Sequence, residues 1–234
     1  MMHNYLKHKH QQNSEKPFNF YTPQGLHVYI KDEITNDSID LEKVMHEVES
    51  LIPSHLFSDI EMIIVGWFSE FEERDINAFY IDGTLCITNT QDDEPDMIDD
   101  IVHEIAHAAE HAYGYEIYAD NLVKDEFLRK RKYLHDILWN AGYKAPEAFF
   151  ADIEFNQEFD DFLHKDIGYG KLSSLISGLF ITPYAATSLN EYYATAFTDY
   201  FIHPDERGFL KKVSPQLYKK LILLQDAKTL DRGS

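Results

Sequence analysis

The sequence is poor in cysteine, in long apolar runs and in basic residues. Cys86 is the single cysteine among 234 residues, so no disulfide can form within the chain, which fits a reducing compartment. No segment approaches the roughly 18 apolar residues that a transmembrane helix needs, and the first residues, MMHNYLKHKHQQNSEKP, contain no apolar stretch typical of a signal peptide. We therefore expect a cytoplasmic or otherwise intracellular protein with no membrane partner.

The charge balance excludes another class of partner. The chain has 21 basic and 41 acidic residues, for a formal net charge of −20. Sequence-independent binding to nucleic acid depends on a basic surface, so we expect no nucleic-acid partner. The one basic run, Arg129-Lys130-Arg131-Lys132, lies within a helical pattern and is predicted to be a solvated helix face.

The apolar pattern predicts an α+β protein. A strand, a helix, a second strand and a hairpin with its turn at Asp82-Gly83 precede a histidine-rich helix, and the chain after Tyr115 has helical periodicity. No linker divides the chain. The predicted organisation is a polar, disordered tail over 1–22 and a single domain over 23–234, with a sheet lobe over 23–114 and a helical lobe over 115–234 that includes one helix over 146–164.

The stretch DMIDDIVHEIAHAAEHAYG, residues 96–114, carries the spacing H-E-x-x-H. At 100° per residue its isoleucines and alanines form one apolar stripe, and His103 and His107 lie together on the opposite side. Histidines four residues apart can bind one ion, and a catalytic zinc takes two imidazoles, a third protein ligand and a water. Glu104 is then placed to accept a proton from that water as general base. The motif predicts one Zn²⁺ per chain.

The third ligand has to come from another segment, because His111 lies roughly 12 Å along the helix axis from His103. Glu191, in TSLNEYYATAFTDYF, is the better candidate. Its spacing after Ser188 is equally that of a capping box, in which the glutamate only bonds the start of its own helix. Asp120 is the leading substitute for Glu191. Spacing alone leaves the ligand and the capping interpretations open.

The motifs VHEIAH and TPYAATSLNEYYATAFTDYFIHP together resemble those of the gluzincin metallopeptidases. The likeness is closest to the catalytic domain of anthrax toxin lethal factor and to the Pro-Pro endopeptidases, and it covers these two helices and, loosely, the strand and hairpin order before them. It implies a zincin-like fold, in which a small twisted mixed sheet packs its edge hairpin on the active-site helix and a mostly helical lobe follows. It also implies that Glu191 is the third zinc ligand and that Tyr184, seven residues earlier, donates a hydrogen bond to the oxyanion.

Two departures from the family pattern lead to further expectations. Thr195 stands where the family has a glutamate four residues after the third ligand, so we expect Asp199 or Asp100 to orient the metal ligands instead. About 80 residues separate His107 from Glu191, more than in lethal factor. The helices within this insertion are predicted to form a wall of the cleft.

The resemblance implies a zinc-dependent endopeptidase that hydrolyses peptide bonds of a polypeptide substrate through a metal-activated water. The strand TLCITNT, residues 84–90, is predicted to be an edge strand, either as a pairing site for an extended substrate or as an ordinary edge blunted by polar residues. The alternative function is a non-catalytic binding or structural module that keeps zinc for stability. Structural zinc sites are usually closed by a fourth protein ligand, typically cysteine, and Glu104 has no purpose in such a site.

Overall fold

The structure, a computed structural model, describes residues 18–74 and 76–230. Within these ranges the chain is α+β, which confirms the predicted class, and no helix there is both long enough and apolar enough to cross a membrane. The strands are β1 Phe18–Tyr21, β2 His27–Ile30, β3 Met62–Val65, β4 Ala78–Ile81 and β5 Thr84–Ile87. The α-helices are α1 Leu41–Leu51, α2 Ser69–Arg74, α3 Glu94–Tyr118, α4 Leu122–Asn140, α5 Glu147–Ala151, α6 Gln157–Asp161, α7 Tyr169–Leu175, α8 Leu189–Ile202, α9 Arg207–Val213, α10 Pro215–Gln225 and α11 Ala227–Leu230.

The strands form one mixed sheet in the order β1-β2-β3-β5-β4. The turn between β4 and β5 has positive φ at both Asp82 (45°) and Gly83 (81°), the conformation that an Asp-Gly hairpin favours. The prediction that residues 84–90 form an edge strand is wrong. β5 pairs in parallel with β3 and antiparallel with β4, so the outer strand of the hairpin is β4. Hairpin chemistry fixes the turn but does not determine which of its two strands joins the rest of the sheet.

The predicted tail extends too far into the domain. Residues 18–21 form β1, so the prediction of a tail over 1–22 is wrong for them, while residues 1–17 lie outside the described residues. β1 pairs antiparallel with β2, and the rings of Tyr21 and His27 stack with centroids 4.8 Å apart. The alternation of aromatic and polar residues in FNFY is the period of a strand, too short to stand out beside a polar segment.

Helix α3 carries the H-E-x-x-H motif and packs against α1, α8 and the β4–β5 hairpin. Its start is capped by the Asp93 side chain, which accepts a hydrogen bond from the Asp96 amide at 2.9 Å. Its regular geometry breaks at Tyr113 (φ −116°, ψ 22°), one residue before the predicted end, and a further turn follows. The predicted apolar stripe is buried at Ile98, Ile101, Ile105, Ala108 and Ala109, but its last member, Ala112, is exposed. The stripe joins one continuous core that takes side chains from both halves of the chain.

The helical half differs from the prediction over residues 146–164. The single expected helix is divided into α5 and α6, with Asp152 in an extended conformation and the Asn156 side chain capping α6 through the Phe159 amide at 3.0 Å. A π-helical turn, Phe162–Ile167, follows. Asp and Asn residues bond to the backbone in non-helical conformations, which explains the interruption of an otherwise helical apolar pattern.

The prediction that the basic run on α4 is a solvated face is wrong for Lys130 and Arg131, whereas Arg129 and Lys132 are exposed. Lys130 and Arg131 are only 6% and 1% exposed. The Lys130 ammonium donates to the Leu179 carbonyl at 2.6 Å and to the Ser214 hydroxyl at 3.0 Å. The Arg131 guanidinium donates to three carbonyls, those of Phe149, Ala186 and Thr187. Segments distant in sequence cover these cations, and a local charge pattern cannot reveal such cover.

Candidate metal centre

The two motif histidines face the same direction from α3. Residues four apart lie on neighbouring turns, and the rings of His103 and His107 have centroids 5.1 Å apart. Both side chains are about one-fifth exposed. The apolar stripe on the other side of the helix fixes this orientation, because turning the imidazoles inward would expose the isoleucines.

Glu191 reaches the histidines from α8. Its Oε2 lies 3.0 Å from His103 Nε2, and its Oε1 lies 3.7 Å from His107 Nε2. One of the two hydrogen bonds of a capping box is present: the Ser188 hydroxyl accepts from the backbone amide of Glu191 at 3.1 Å. The Glu191 carboxylate, however, is directed at the imidazoles. Ser188 therefore fixes the first turn of α8, and the glutamate side chain is left to face α3.

The three side chains form a group that fits a divalent metal ion. One ligand atom from each of His103, His107 and Glu191 lies within 4.8 Å of the other two, the only such group of histidine, cysteine and acidic residues that residues 18–74 and 76–230 contain. Two imidazole nitrogens and one carboxylate oxygen are a donor set that suits zinc. Burial raises the pKa of Glu191, but the combined effect of His103, His107 and Tyr184 is larger and lowers it below the usual value. The carboxylate is therefore ionised at neutral pH.

Glu104 lies beside the histidines on the same helix and is 8% exposed. Burial raises the pKa of its carboxyl above the usual value, and Glu191 adds to the increase. His103 and His107 oppose this shift, as does a hydrogen bond with the backbone of Tyr80 on β4. A carboxylate that burial makes more basic, placed next to a metal-binding group, is suited to accept a proton.

Tyr184 lies in a 3₁₀ turn, Tyr184–Ala186, just before α8, with its ring 6.4 Å from that of His103. Burial, followed by the charges of Glu191 and Asp160, raises the pKa of its hydroxyl well above the usual value. The hydroxyl therefore stays protonated at neutral pH, and its hydrogen bond with Glu191 lowers the pKa of that carboxyl. The structure brings it close to the group of three, as the resemblance implies.

The long insertion contributes side chains next to Tyr184, which the sequence did not single out. Tyr169 on α7 donates a hydrogen bond to Asp160 on α6 at 2.7 Å. The charge of Asp160 acts on the Tyr184 hydroxyl. Burial, followed by the hydrogen bond and charge of Asp160 and by the charge of Glu191, raises the pKa of Tyr169. These residues have no motif spacing, so only the tertiary structure relates them to the site.

The other candidate residues lie away from this group. His111 is largely exposed and bonds Asp59 through Nδ1 at 2.7 Å. Asp120, the substitute for Glu191, pairs with Lys220 at 2.9 Å. Neither residue belongs to the group of His103, His107 and Glu191.

The expected outer carboxylates do not contact the imidazoles. Asp100 accepts a hydrogen bond from the side-chain amide of Gln91 at 3.1 Å. Asp199 Oδ2 is buried with no hydrogen-bond partner among the described residues. Glu110, one turn after His107, is instead a carboxylate that faces an imidazole, with its Oε2 3.7 Å from His107 Nδ1. Burial lowers the pKa of His107, but its carboxylate neighbours Glu110, Glu191 and Glu104 raise it to about 9. In the sequence, the only indication of this contact is that Glu110 follows His107 by three residues.

A cavity of about 920 Å³ lies beside the first turns of α3, one turn before His103. Burial, opposed by the Gln91 hydrogen bond, raises the pKa of Asp100 at its wall to about 6. Acidic residues outnumber basic ones in the lining of the cavity, which includes Lys43 and His203 as its basic members and the acidic residues Glu47, Asp92, Glu94, Asp96, Asp99 and Asp100. Negative charge at this side of the histidines disfavours acidic groups and attracts basic ones.

Comparisons of the chain with protein-family models, with curated proteins and with solved structures find no match. The resemblance to gluzincins therefore rests on the two motifs and stays a prediction.

Proposed function

We propose that this protein is a zinc-dependent endopeptidase of the gluzincin type, built on a zincin-like fold. The observation that carries the proposal is the convergence of His103 and His107 with Glu191, which is 88 residues from His103 in sequence. A purely local motif would not bring a third ligand of the right chemistry from a distant helix.

The residues of the chain divide the chemistry among them. His103, His107 and Glu191 would hold the ion, which supplies a Lewis acid and a water of lowered pKa when bound. Glu104 accepts a proton from the attacking water and returns it to the leaving amine, as a general base with raised pKa can do at neutral pH. Tyr184 donates a hydrogen bond to the oxygen on which negative charge develops, an interaction typically worth several kcal/mol.

The outer strand β4 supports an extended polypeptide as substrate. The Thr88 amide bonds the Asn77 carbonyl at 2.8 Å, and with the pairing of Phe79 with Cys86 this register directs the backbone groups of Ala78 and Tyr80 away from β5. A peptide added at this edge would bond the backbone groups of Ala78 and the Tyr80 carbonyl, whereas the Tyr80 N–H bonds Glu104. Peptide pairing and proton transfer would therefore occur side by side.

The alternative, a zinc-stabilised module without activity, predicts a different outcome for one substitution. We expect Glu104→Gln to bind zinc stoichiometrically but to cleave a peptide library about 10²–10⁴-fold more slowly than wild type, because it keeps the three ligands and loses the base. Glu116→Gln removes the same charge from the same helix and is the control. Equal cleavage by wild type and Glu104→Gln, or absence of chelator-sensitive cleavage in both, would contradict the proposal.

A further inference from the structure

The two imidazoles of the candidate metal centre differ in what lies behind them. Nε2 of each ring faces Glu191, and therefore the position of the ion. Behind His107, Nδ1 faces Oε2 of Glu110 at 3.7 Å. For Nδ1 of His103 the described part of the chain offers no comparable carboxylate contact. Only one of the two rings is thus held from both sides.

The Glu110 carboxylate is itself held in place. It is 9% exposed, and its second oxygen, Oε1, accepts a hydrogen bond from the Tyr118 hydroxyl. Tyr118 belongs to the last turn of α3, after the break at Tyr113. One oxygen of the carboxylate therefore contacts the bent end of the helix, and the other contacts His107.

A buried carboxylate has to be paired or hydrogen-bonded, because the loss of water costs several kcal/mol otherwise. Glu110 has two partners among the described residues, the Tyr118 hydroxyl and His107 Nδ1. Metal-binding histidines commonly donate their second ring N–H to a carboxylate, which fixes the tautomer and the orientation of the ring. The Glu110 carboxylate lies at ion-pair distance, 3.7 Å, from the correct nitrogen for this role, since the other nitrogen of His107 faces Glu191.

Resting on the proposed function, we infer that Glu110 is the positioning residue of the metal centre: it holds His107 in the Nδ1–H tautomer with Nε2 directed at the ion, and Tyr118 holds Glu110. This arrangement supplies from within α3 the outer carboxylate that Thr195 cannot supply from α8. It makes His107 the more rigid ligand and His103 the more adaptable one.

The test is the zinc affinity of full-length variants, measured by competition with a chromogenic chelator. We expect Glu110→Gln, which keeps the shape of the side chain but not its charge, to bind Zn²⁺ about 10–100-fold more weakly than wild type. Tyr118→Phe keeps Glu110 but removes the hydroxyl that bonds it, so its zinc affinity should fall by less, under about tenfold. Glu116→Gln, the charge-matched control on α3, should bind as wild type does. If Glu110→Gln does not fold, the Tyr118→Phe comparison carries the test.

A second readout separates positioning from simple support of the fold. In long-range ¹H–¹⁵N spectra of the zinc-loaded protein, we expect His107 to carry its proton on Nδ1, with the resonance of that proton shifted downfield by the carboxylate. Glu110→Gln should remove the downfield shift, while the His103 signals stay close to those of wild type. Unchanged zinc affinity and an unchanged His107 spectrum in Glu110→Gln would overturn the inference and leave the proposed function standing. A wild-type protein that binds no zinc would instead overturn the proposed function.

Discussion

The two helices that meet at the candidate metal centre share apolar packing, but the segment that leads into α8 has a second kind of anchor. α3, with His103 and His107, is fixed by apolar side chains that pack on the sheet and on α8. The chain entering α8, with Tyr184 and Glu191, is fixed by buried charge, because the Arg131 guanidinium on α4 bonds the carbonyls between them. Apolar burial has no direction, whereas hydrogen bonds of a planar guanidinium set distances and angles. The histidine pair thus depends on packing, and Glu191, the proposed third ligand, depends on packing and on a directional anchor.

The largest effect should come from removing that anchor. Arg131→Met keeps much of the side-chain volume but leaves three carbonyls without their donor, at about 1–3 kcal/mol for each buried group. We expect a loss of about 3–5 kcal/mol in urea unfolding of the metal-free protein. Zinc affinity should fall at least tenfold as well, because the segment that positions Glu191 is released.

Lys132→Met is the matched control for this substitution, because Lys132 is exposed on the same helix and carries the same charge. Its stability should change by less than about 0.5 kcal/mol. If Arg131→Met were as stable as Lys132→Met and bound zinc normally, the third ligand would not depend on buried charge.

The apolar anchor should fail differently. Ile105 is fully buried on α3 between the two histidines, and Ile105→Ala should cost about 2–4 kcal/mol through the lost contacts and the cavity that remains. The spacing of His103 and His107 is set by hydrogen bonds within the helix, so zinc affinity should fall less than tenfold for a comparable loss of stability. A larger fall in zinc affinity for Ile105→Ala than for Arg131→Met, at equal stability, would reverse the comparison.

The same contrast explains what the sequence could predict. The H-E-x-x-H helix, its apolar stripe and the Asp82-Gly83 turn depend on residues within a few positions of one another, and the structure has each of them. The outer position of β4 and the burial of Arg131 depend on segments far along the chain. The predictions that residues 84–90 form the edge strand and that Arg131 is solvated were therefore wrong. Periodicity records which face of an element is apolar, but it contains no information on which distant carbonyls will cover a cation.

Glu110 falls between these two cases. Its position three residues after His107 is visible in the sequence and places it on the same face of α3. Its role could not be derived from spacing, because its second partner, Tyr118, follows the break at Tyr113. Glu191 is a similar case. The same position after Ser188 fits both a capping residue and a residue that reaches the histidines, and only the tertiary structure distinguishes the two interpretations.

The smallest effect concerns the second buried cation of the helical half. Burial lowers the pKa of Lys130 to about 8, from an ordinary value of 10.5. Between these values the unfolded chain binds a proton that the native protein has lost, so this group makes stability rise with pH, by at most about 1.4 kcal/mol per pH unit. Below pH 8 both states are charged at Lys130 and its contribution is constant. We expect wild type to gain about 1–3 kcal/mol relative to Lys130→Met between pH 8 and 10.5.

Unfolding in urea at several pH values measures this difference, and subtracting the curve of the variant cancels every group that the two proteins share. Lys132→Met is the control and should show no such gain, because Lys132 is exposed on the same helix. Parallel curves for wild type and Lys130→Met would mean that the cation is charged in the native protein at pH 9. The hydrogen bonds from Lys130 to the Leu179 carbonyl and the Ser214 hydroxyl would then compensate fully for the burial of the ammonium. Burying this charge would in that case not lower the free energy of unfolding.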